Sequence, residues 1–219
     1  NAKRKRPNDV LMSWKLFQDK LSEAERSNII LIMHTDPKDS EGPNLIETAA
    51  KLGIKETVMF SPDRVDFDQM NVLHNITDVC LNIAFAEGFG LGTLEAMQTG
   101  NPIIAAKTGG LTRQVVDHRD GSENGVALDI KTKSLVGSQN VPYIYEDYVD
   151  VNDTADALHK IFSMPKEDRK ALGQKARDYV LSEFSLDTTI DLWHNSLSKL
   201  VSDWKEGNRV VSRYDLTEF

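Results

Sequence analysis

Two glutamates, Glu87 and Glu95, stand eight positions apart and enclose a segment with three glycines. Glycine lets the backbone adopt positive φ and approach a ligand closely, and the first N–H groups of a helix attract anions. The segment therefore predicts a site for a phosphorylated ligand. Because carboxylates repel phosphate, the two glutamates are better suited to accept hydrogen bonds from hydroxyl groups. A nucleotide sugar offers that combination, with a ribose diol at one end and a sugar at the other.

Few other residues match a catalytic or ligand-binding motif. The sequence has no Gly-Lys-Ser or Gly-Lys-Thr motif, no metal-ligand spacing among its histidines and no Ser-His-Asp set. His34, at the end of a predicted strand, is expected to be a packed or hydrogen-bonded neighbour rather than a ligand-binding residue. Cys80 lies inside an apolar run, which predicts a buried structural thiol and fits a reducing compartment.

The composition is that of a globular protein. Of 219 residues, 40% are apolar and 27% are charged, which excludes a wholly disordered chain and allows one α/β domain with appended helices. No apolar run approaches the roughly 20 residues of a membrane helix. The formal charge of −8 argues against a nucleic-acid binder, although residues 3–6 form a local basic cluster. The sequence begins at Asn1 without Met, so we expect it to be part of a longer protein.

Strand and helix patterns alternate around the two glutamates. Continuous apolar runs predict strands at 29–33, 57–60, 79–84, 102–105 and 126–129. Helical spacing and cap residues predict helices at 10–26, 44–51, 67–74, 92–99, 111–117, 153–162, 165–184 and 185–204. This alternation predicts an α/β fold, a doubly wound parallel sheet of the Rossmann-like type with extra C-terminal helices. Loops 87–93 and 107–110 are expected side by side at the carboxyl edge of that sheet.

Two segments fall outside this alternation. Residues 131–148 are rich in glycine, serine, asparagine and proline around position 140 and are expected to be an irregular surface insertion. Residues 213–219 are expected to be a tail or a docking strand. We predict a nucleotide-sugar-binding domain at 1–185, and a C-terminal helix and tail at 186–219 that pack on it or on an absent N-terminal domain.

The order of the motifs resembles the carboxyl-terminal domain of a GT-B glycosyltransferase, in particular the large retaining family called family 4. The resemblance covers residues 3–184. Its motifs, in order, are the basic start, the paired glutamates, Ala96-Met97-x-x-Gly100-x-Pro102-Ile103-Ile104-Ala105, the Gly109-Gly110 turn, Glu123-Asn124-Gly125-Val126 and Glu183-Phe184-Ser185. Two glutamates at this spacing occur by chance in many chains, whereas the ordered set is specific.

The resemblance implies a role for each residue of the loop. Glu87 would contact the donor sugar, Glu95 would bind the ribose hydroxyls, and Lys5 would neutralise the diphosphate as it leaves. Phe89 and Gly90 would lie along the sugar, with the N–H groups of residues 91–93 facing the diphosphate. The implied catalytic residues are Glu87 and Lys5, and the implied substrate-binding residues are Arg4, Gly88, Phe89, Gly90, Leu91, Gly92, Thr93 and Glu95.

Taken singly, these residues also allow simpler interpretations. Glu95 suits the first turn of any solvated helix, Thr93 suits a helix cap, and Phe89 suits packing against the next loop. The basic cluster suits an exposed terminus. The resemblance places an arginine partner of Lys5 before the first residue, with Arg4 or Arg6 as substitutes.

The sequence also departs from the family pattern. Gly92 stands where the family commonly has proline, which adds an N–H group but makes the turn less rigid. No acidic residue follows the Gly-Gly turn in residues 111–114, and the insertion at 131–145 has no counterpart.

The resemblance implies an enzyme, a retaining, hexosyl-type glycosyltransferase that uses a nucleotide diphosphate sugar and neither a metal nor another cofactor. Its acceptor, a sugar, lipid or protein, would be held by an N-terminal domain absent from this sequence, so the isolated chain would bind the donor but transfer poorly. We expect a cytoplasmic location, free or peripheral at a membrane, without a transmembrane segment or a nucleic-acid partner. Two alternatives remain open: a non-catalytic nucleotide-sugar-binding module, and a sugar-nucleotide epimerase of GT-B fold.

Overall fold

The computed structural model describes residues 2–207. The chain forms two compact units, Asn1–Val180 and Leu181–Phe219, and the predicted functional division into 1–185 and 186–219 stays a prediction. The described strands are β1 Leu31–Met33, β2 Val58–Phe60, β3 Cys80–Asn82, β4 Ile103–Ala106, β5 Gly125–Leu128, β6 Thr132–Val136 and β7 Ile144–Tyr148. The described helices are α1 Pro7–Gln18, α2 Glu23–Arg26, α3 Leu45–Lys51, α4 Phe67–Asn75, α5 Leu91–Gln98, α6 Leu111–Val115, α7 Val151–Ser163, α8 Lys166–Phe184 and α9 Leu186–Lys205.

The strands β1 to β5 pair in parallel, as predicted. β1 pairs with β2, and β4 lies between β3 and β5, with Cys80 opposite Ile103 and Ile103 opposite Gly125. Hydrogen bonds therefore link these strands in two groups rather than in one ladder. The parallel direction, with helices between most successive strands, confirms the α/β fold and brings the carboxyl ends of β3 and β4 to the same edge.

The core of the first unit joins the strands to α1 and α7. Its buried apolar residues include Leu11, Trp14, Phe17, Leu45, Ile104, Leu158 and Ile161. Helix α1 packs on α7, where the rings of Phe17 and Phe162 meet edge to face with centroids 5.7 Å apart. Since α1 begins at Pro7, a residue preset for the first helical turn, this packing also fixes the basic segment just before it.

Two helix boundaries differ from the prediction because of a cap residue that the prediction did not use. The first helix is shorter than expected, because Ser22 and Glu25 form a capping box that starts the separate helix α2. Helix α7 begins before its predicted cap residues, Asp153 and Thr154, because the Asp150 side chain caps it instead. In both cases a local polar contact at the helix start, rather than apolar spacing, sets the boundary.

Residues 131–148 are regular, so the prediction of irregular structure is wrong. Strands β6 and β7 form an antiparallel hairpin with Leu135 opposite Tyr145, and the glycine and proline residues of the segment lie in its connecting loop. Aromatic and β-branched residues favour the strands, while the charged residues between them obscure the pattern. The hairpin lies on the surface, as predicted, with Tyr143 68% exposed.

The second unit contains helix α9, which has an exposed apolar side. Large apolar residues recur there at spacings of three and four: Leu186, Ile190, Trp193, Leu197, Leu200 and Trp204. The expectation that this helix packs on another part of the protein stays a prediction, and residues 213–219 lie outside the described residues. Within residues 2–207, no helix combines the length and apolar character needed to cross a membrane.

Candidate active site

The basic segment at the start of the chain lies at the carboxyl end of β3. The Arg4 carbonyl accepts the N–H of Phe85 at 3.1 Å, and Arg4 Nη1 donates to the Ala86 carbonyl at 2.6 Å. These bonds join the turn at residues 3–5 to the chain immediately before Glu87. The structure thus brings together the basic start and the glutamate loop that the sequence placed far apart.

The Glu87 carboxylate binds two cations. Lys5 Nζ and Arg4 Nη1 both donate to Glu87 Oε2, the latter at 3.0 Å. Burial raises the pKa of Glu87, but the hydrogen bonds and charges of Lys5, and then those of Arg4, outweigh burial and hold the pKa below its usual value of 4.5. The Glu87 side chain is 10% exposed, whereas those of Lys5 and Arg4 are almost half exposed. Because Lys5 and Arg4 surround a single carboxylate, this edge of the sheet, called the rim below, keeps a net positive charge. Such a charge attracts an anion.

Arg6 does not belong to this cluster. Its Nε pairs with Asp9 at 2.7 Å, its Nη2 donates to the Val149 carbonyl at 3.1 Å, and its guanidinium lies 5.2 Å from the centre of the Tyr148 ring. Arg6 is largely buried by these contacts. Of the two predicted substitutes for the missing arginine, only Arg4 therefore lies at Glu87.

The second glycine-rich loop contacts the first, as expected for loops on one sheet edge. The N–H of Gly110 lies 3.3 Å from the Glu87 carbonyl and 3.2 Å from the Gly88 carbonyl. Gly109 has φ +49°, and a Cβ atom there would lie 1.8 Å from the Glu87 carbonyl oxygen. Only glycine allows this approach, so the loop after β4 fixes the backbone of Glu87.

A buried glutamine holds the middle of the loop. Gln114, on α6, donates its side-chain N–H to the Phe89 carbonyl at 2.7 Å and is fully buried. The Phe89 side chain is 42% exposed, so its ring remains accessible next to the loop. Sequence reasoning missed Gln114, because it belongs to no motif and lies 25 positions from its partner.

The loop ends at the start of α5, where two N–H groups point out of the helix. Gly90 caps α5, and the N–H groups of Leu91 and Gly92 are the first of the helix, without an intrahelical acceptor. The N–H of Thr93, by contrast, lies 3.2 Å from the Gly90 carbonyl. The Thr93 side chain is buried and accepts a 3.0 Å hydrogen bond from Asn82. Of the three N–H groups predicted to face a diphosphate, those of Leu91 and Gly92 therefore lack an intrahelical acceptor.

Glu95 lines a cleft between α4 and α5. The cleft has a volume of about 330 Å³, and its lining includes His74, Asn71, Gln98 and Arg177 as well as Glu95. Glu95 Oε2 lies 3.7 Å from His74 Nε2, and the Glu95 side chain is 40% exposed. The two glutamates thus have different neighbours: Glu87 binds Lys5 and Arg4, whereas Glu95 lies near His74.

The β6–β7 hairpin is fastened to the same edge through Asp147. The N–H of Asp147 donates to the Phe85 carbonyl at 2.8 Å, and its Oδ2 accepts from the Thr108 hydroxyl at 2.8 Å. Lys133 Nζ lies 3.4 Å from Oδ1 of the same carboxylate. Asp147 therefore ties the hairpin to the ends of both β3 and β4.

Residues 2–179 of the chain match the family model described as glycosyl transferases group 1. The chain belongs to this glycosyltransferase family. The matched span includes both glutamates, the basic start and both glycine loops, and the predicted resemblance to a GT-B glycosyltransferase is thereby confirmed.

Named relatives cover much of this group 1 chain. D-inositol 3-phosphate glycosyltransferase of Saccharomonospora viridis is 30% identical over 169 residues, which are 76% of this chain and 33% of that protein. Anabaena HepE in complex with UDP-glucose superposes with a TM-score of 0.65 at 19% identity, covering 91% of this chain and 46% of HepE. The C-terminal domain of LpcC, a group 1 glycosyltransferase of Francisella tularensis, superposes at 0.63 with 20% identity, covering 85% of this chain and 83% of that domain.

The comparisons show two things about this group 1 chain: its fold, and the share of a relative's length that it spans. The chain spans about a third of the length of the Saccharomonospora relative. The structural likenesses, at low sequence identity, establish the fold alone. The roles of individual site residues therefore rest on the geometry of this chain.

His34 and Cys80 were also assigned a structural role from the sequence. His34 Nδ1 lies 3.1 Å from the Ser61 hydroxyl, the hydrogen-bonded arrangement expected of it. Cys80 is a free thiol and, as a whole residue, is half-buried rather than fully buried. Burial, with a smaller contribution from the negative charge of Glu95, raises the pKa of Cys80 to about 11. Among residues 2–207 no group of three His, Cys, Asp or Glu side chains is arranged to hold a metal ion.

Proposed function

We propose that this chain is the donor-binding domain of a retaining glycosyltransferase and binds a nucleotide diphosphate sugar. The observation that carries the proposal is the convergence of Lys5 and Arg4 on Glu87, beside the open N-terminus of α5. Family membership supports a transferase. The convergence adds a place where a leaving diphosphate is stabilised.

The positive rim suits the charge that develops during transfer. When the bond from the sugar to the diphosphate breaks, negative charge grows on the departing phosphate oxygens. Four groups at one edge would stabilise this charge: the side chains of Lys5 and Arg4 and the N–H groups of Leu91 and Gly92. Because the fold already positions them, they need not reorganise during the reaction. Cations and main-chain donors supply this stabilisation, so we propose a metal-independent reaction.

Glu87 has two tasks in this scheme. As a carboxylate it holds both cations at the rim, and its remaining lone pairs can accept hydrogen bonds from the donor sugar. The depressed pKa keeps Glu87 ionised at neutral pH, as both tasks require. Phe89, whose ring is exposed beside it, would contact the sugar.

In this proposal Glu95 binds the ribose, at the other end of the donor. Its carboxylate lines the α4–α5 cleft and lies 3.7 Å from His74 Nε2. A diphosphate above Leu91 and Gly92 would direct the sugar toward Glu87 and the ribose toward Glu95. A carboxylate accepts from both hydroxyls of a ribose diol, and each such bond contributes about 1.5–3 kcal/mol.

The relatives support the proposed nucleotide-sugar donor and a separate acceptor-binding domain. HepE was crystallised with UDP-glucose, and the Saccharomonospora relative is named for transfer to an inositol phosphate. Since this chain spans about a third of that relative, we propose that a further domain binds the acceptor and that the chain alone transfers sugar poorly. The free thiol of Cys80 agrees with the reducing cytoplasm that we propose as its location.

Thermal unfolding of the chain with UDP, GDP, ADP and their sugar conjugates tests the proposal. A ligand at 100 times its dissociation constant adds about 2.7 kcal/mol of stability, enough for a clear rise in melting temperature. We expect one nucleotide family to give that rise and Lys5→Ala to weaken its binding about tenfold or more.

Lys131→Ala is the matched control, because Lys131 is similarly exposed but pairs with Asp153 away from the rim. It should bind the nucleotide like the wild type. No shift with any nucleotide, or equal losses in the two lysine variants, would contradict the proposal.

A further inference from the structure

His74 lies against Glu95 in the α4–α5 cleft and has a defined orientation. Its carbonyl, near the end of α4, accepts hydrogen bonds from the Thr77 hydroxyl at 3.0 Å and from the Asn101 side chain. The His74 side chain is 16% exposed, and its Nε2 lies 3.7 Å from Glu95 Oε2. The backbone contacts and partial burial thus hold the imidazole beside the carboxylate.

The Nε2 atom of His74 is buried and has no hydrogen-bond partner among residues 2–207. A buried polar atom without a partner is costly, and the neighbouring acceptor is the Glu95 carboxylate. A proton on Nε2 makes the contact attractive, whereas a lone pair on Nε2 facing the carboxylate makes it repulsive. The separation of 3.7 Å lies within the range of an ion pair but exceeds that of a normal hydrogen bond.

Glu95 needs such a partner. Its side chain has three rotatable bonds and is 40% exposed, so ordering it for a ligand costs conformational entropy. Arg177, from α8, also lines the cleft and carries a positive charge there. Cys80, whose thiol is influenced by the charge of Glu95, stays neutral because of its raised pKa.

We propose that His74 is a positioning residue for Glu95, and that it holds the carboxylate in the cleft in the orientation that accepts the two ribose hydroxyls of the donor. This inference rests on the proposed function. His74 acts on the ligand only through Glu95, so its contribution should disappear when either the ribose hydroxyls or the Glu95 carboxylate is removed.

Calorimetric titration of the 219-residue chain tests this dependence. The probes are the tightest-binding diphosphate among UDP, GDP and ADP and its 2′,3′-dideoxy counterpart. His74→Ala should weaken the ribose nucleotide about tenfold and leave the dideoxy nucleotide unchanged. In the Glu95→Ala background, His74→Ala should have no further effect. His74→Gln keeps a side-chain N–H that can donate a hydrogen bond to Glu95, so it should recover part of the affinity that His74→Ala loses.

His159→Gln is the control, since His159 lies on α7 outside the cleft lining, and circular dichroism confirms that each variant is folded. The inference would be overturned if His74→Ala weakened both nucleotides equally. It would also be overturned if His74→Ala weakened the ribose nucleotide just as much in the Glu95→Ala background, because His74 would then not act through Glu95. Unchanged affinity in His74→Ala would overturn it as well. If the wild type binds none of the three nucleotides, the proposed function itself fails and this inference with it.

Discussion

Lys5 and Glu87, 82 positions apart in the sequence, form an ion pair at the carboxyl end of β3. The lysine comes from the turn before α1 and the glutamate from the loop before α5, so the pair links the start of the chain to the loop that follows β3. Because Arg4 joins the same carboxylate, a single side chain holds both cations of the rim. The charge of Glu87 therefore matters for stability as well as for ligand binding.

Glu87→Gln should be less stable than the wild type at neutral pH, and this difference should shrink in acid. A carboxylate with a depressed pKa contributes stability that is fully present above its unfolded pKa and is lost as pH falls through the folded value. We expect a loss of about 1 kcal/mol at pH 7. The difference should shrink below pH 4.5, the usual pKa of glutamate.

Urea unfolding of both proteins between pH 3 and pH 7 measures this difference in free energy. A gap that stays constant across the range would show that the ionised carboxylate does not stabilise the fold.

Gly109→Ala should disrupt the loop that carries Glu87. The new Cβ atom would meet the Glu87 carbonyl oxygen at 1.8 Å, and φ at this position is +49°. We expect the free energy of unfolding to fall by more than about 2 kcal/mol. Gly92→Ala is the matched control for stability, because no atom lies within 4 Å of its Cβ position. Its unfolding free energy should change by less than about 1 kcal/mol and rise rather than fall. Equal losses in the two variants would refute the contact between the loops.

Asp147→Ala should release the β6–β7 hairpin from the sheet edge. The substitution removes the carboxylate that accepts from Thr108 at 2.8 Å, and we expect a loss of about 2 kcal/mol. Amide hydrogen exchange in residues 132–148 should speed up more than exchange in α1. Asp129→Ala, which removes an exposed carboxylate paired with Lys107, should leave both measurements unchanged. Hairpin exchange at the wild-type rate in Asp147→Ala would show that other contacts hold the hairpin.

Cys80 should react slowly with thiol reagents in the folded protein. With a pKa of about 11, about one thiol in a thousand is ionised at pH 8, against roughly a quarter in an unfolded chain. A disulfide reagent should therefore react about a hundredfold more slowly with the folded protein than with the unfolded one. Glu95→Gln removes a negative charge that disfavours the thiolate, so it should lower the pKa of Cys80 and speed the reaction. An unchanged rate would place Glu95 away from the thiol.

The sequence was sufficient for the fold because the strand and helix patterns are local. The apolar runs around Cys80 and Ile103 have strand length, and the glycines after them mark the loops that meet at one edge. Helix α2 was missed although its signal was present, since Ser22 and Glu25 have the spacing of a capping box. The hairpin was missed because Lys133 and Asp147 interrupt its apolar pattern.

Sequence patterns did not predict the contacts between segments that lie far apart along the chain. The positions of Lys5 and Glu87 were both predicted to bind the donor, but nothing in either segment indicates that they bind each other. Gln114 has no local signal, because its partner is a carbonyl group on another loop. The pair of His74 and Glu95 likewise depends on how α4 packs beside α5.

Calorimetry with a free nucleoside diphosphate and with its sugar conjugate separates the roles proposed for the two glutamates. Glu95→Gln should weaken both ligands about tenfold, because both carry the ribose. Glu87→Gln should weaken the sugar conjugate more than the free nucleotide, because only the conjugate also loses the contact between its sugar and the carboxylate. Equal losses for both ligands in both variants would show that the two glutamates do not bind separate parts of the donor.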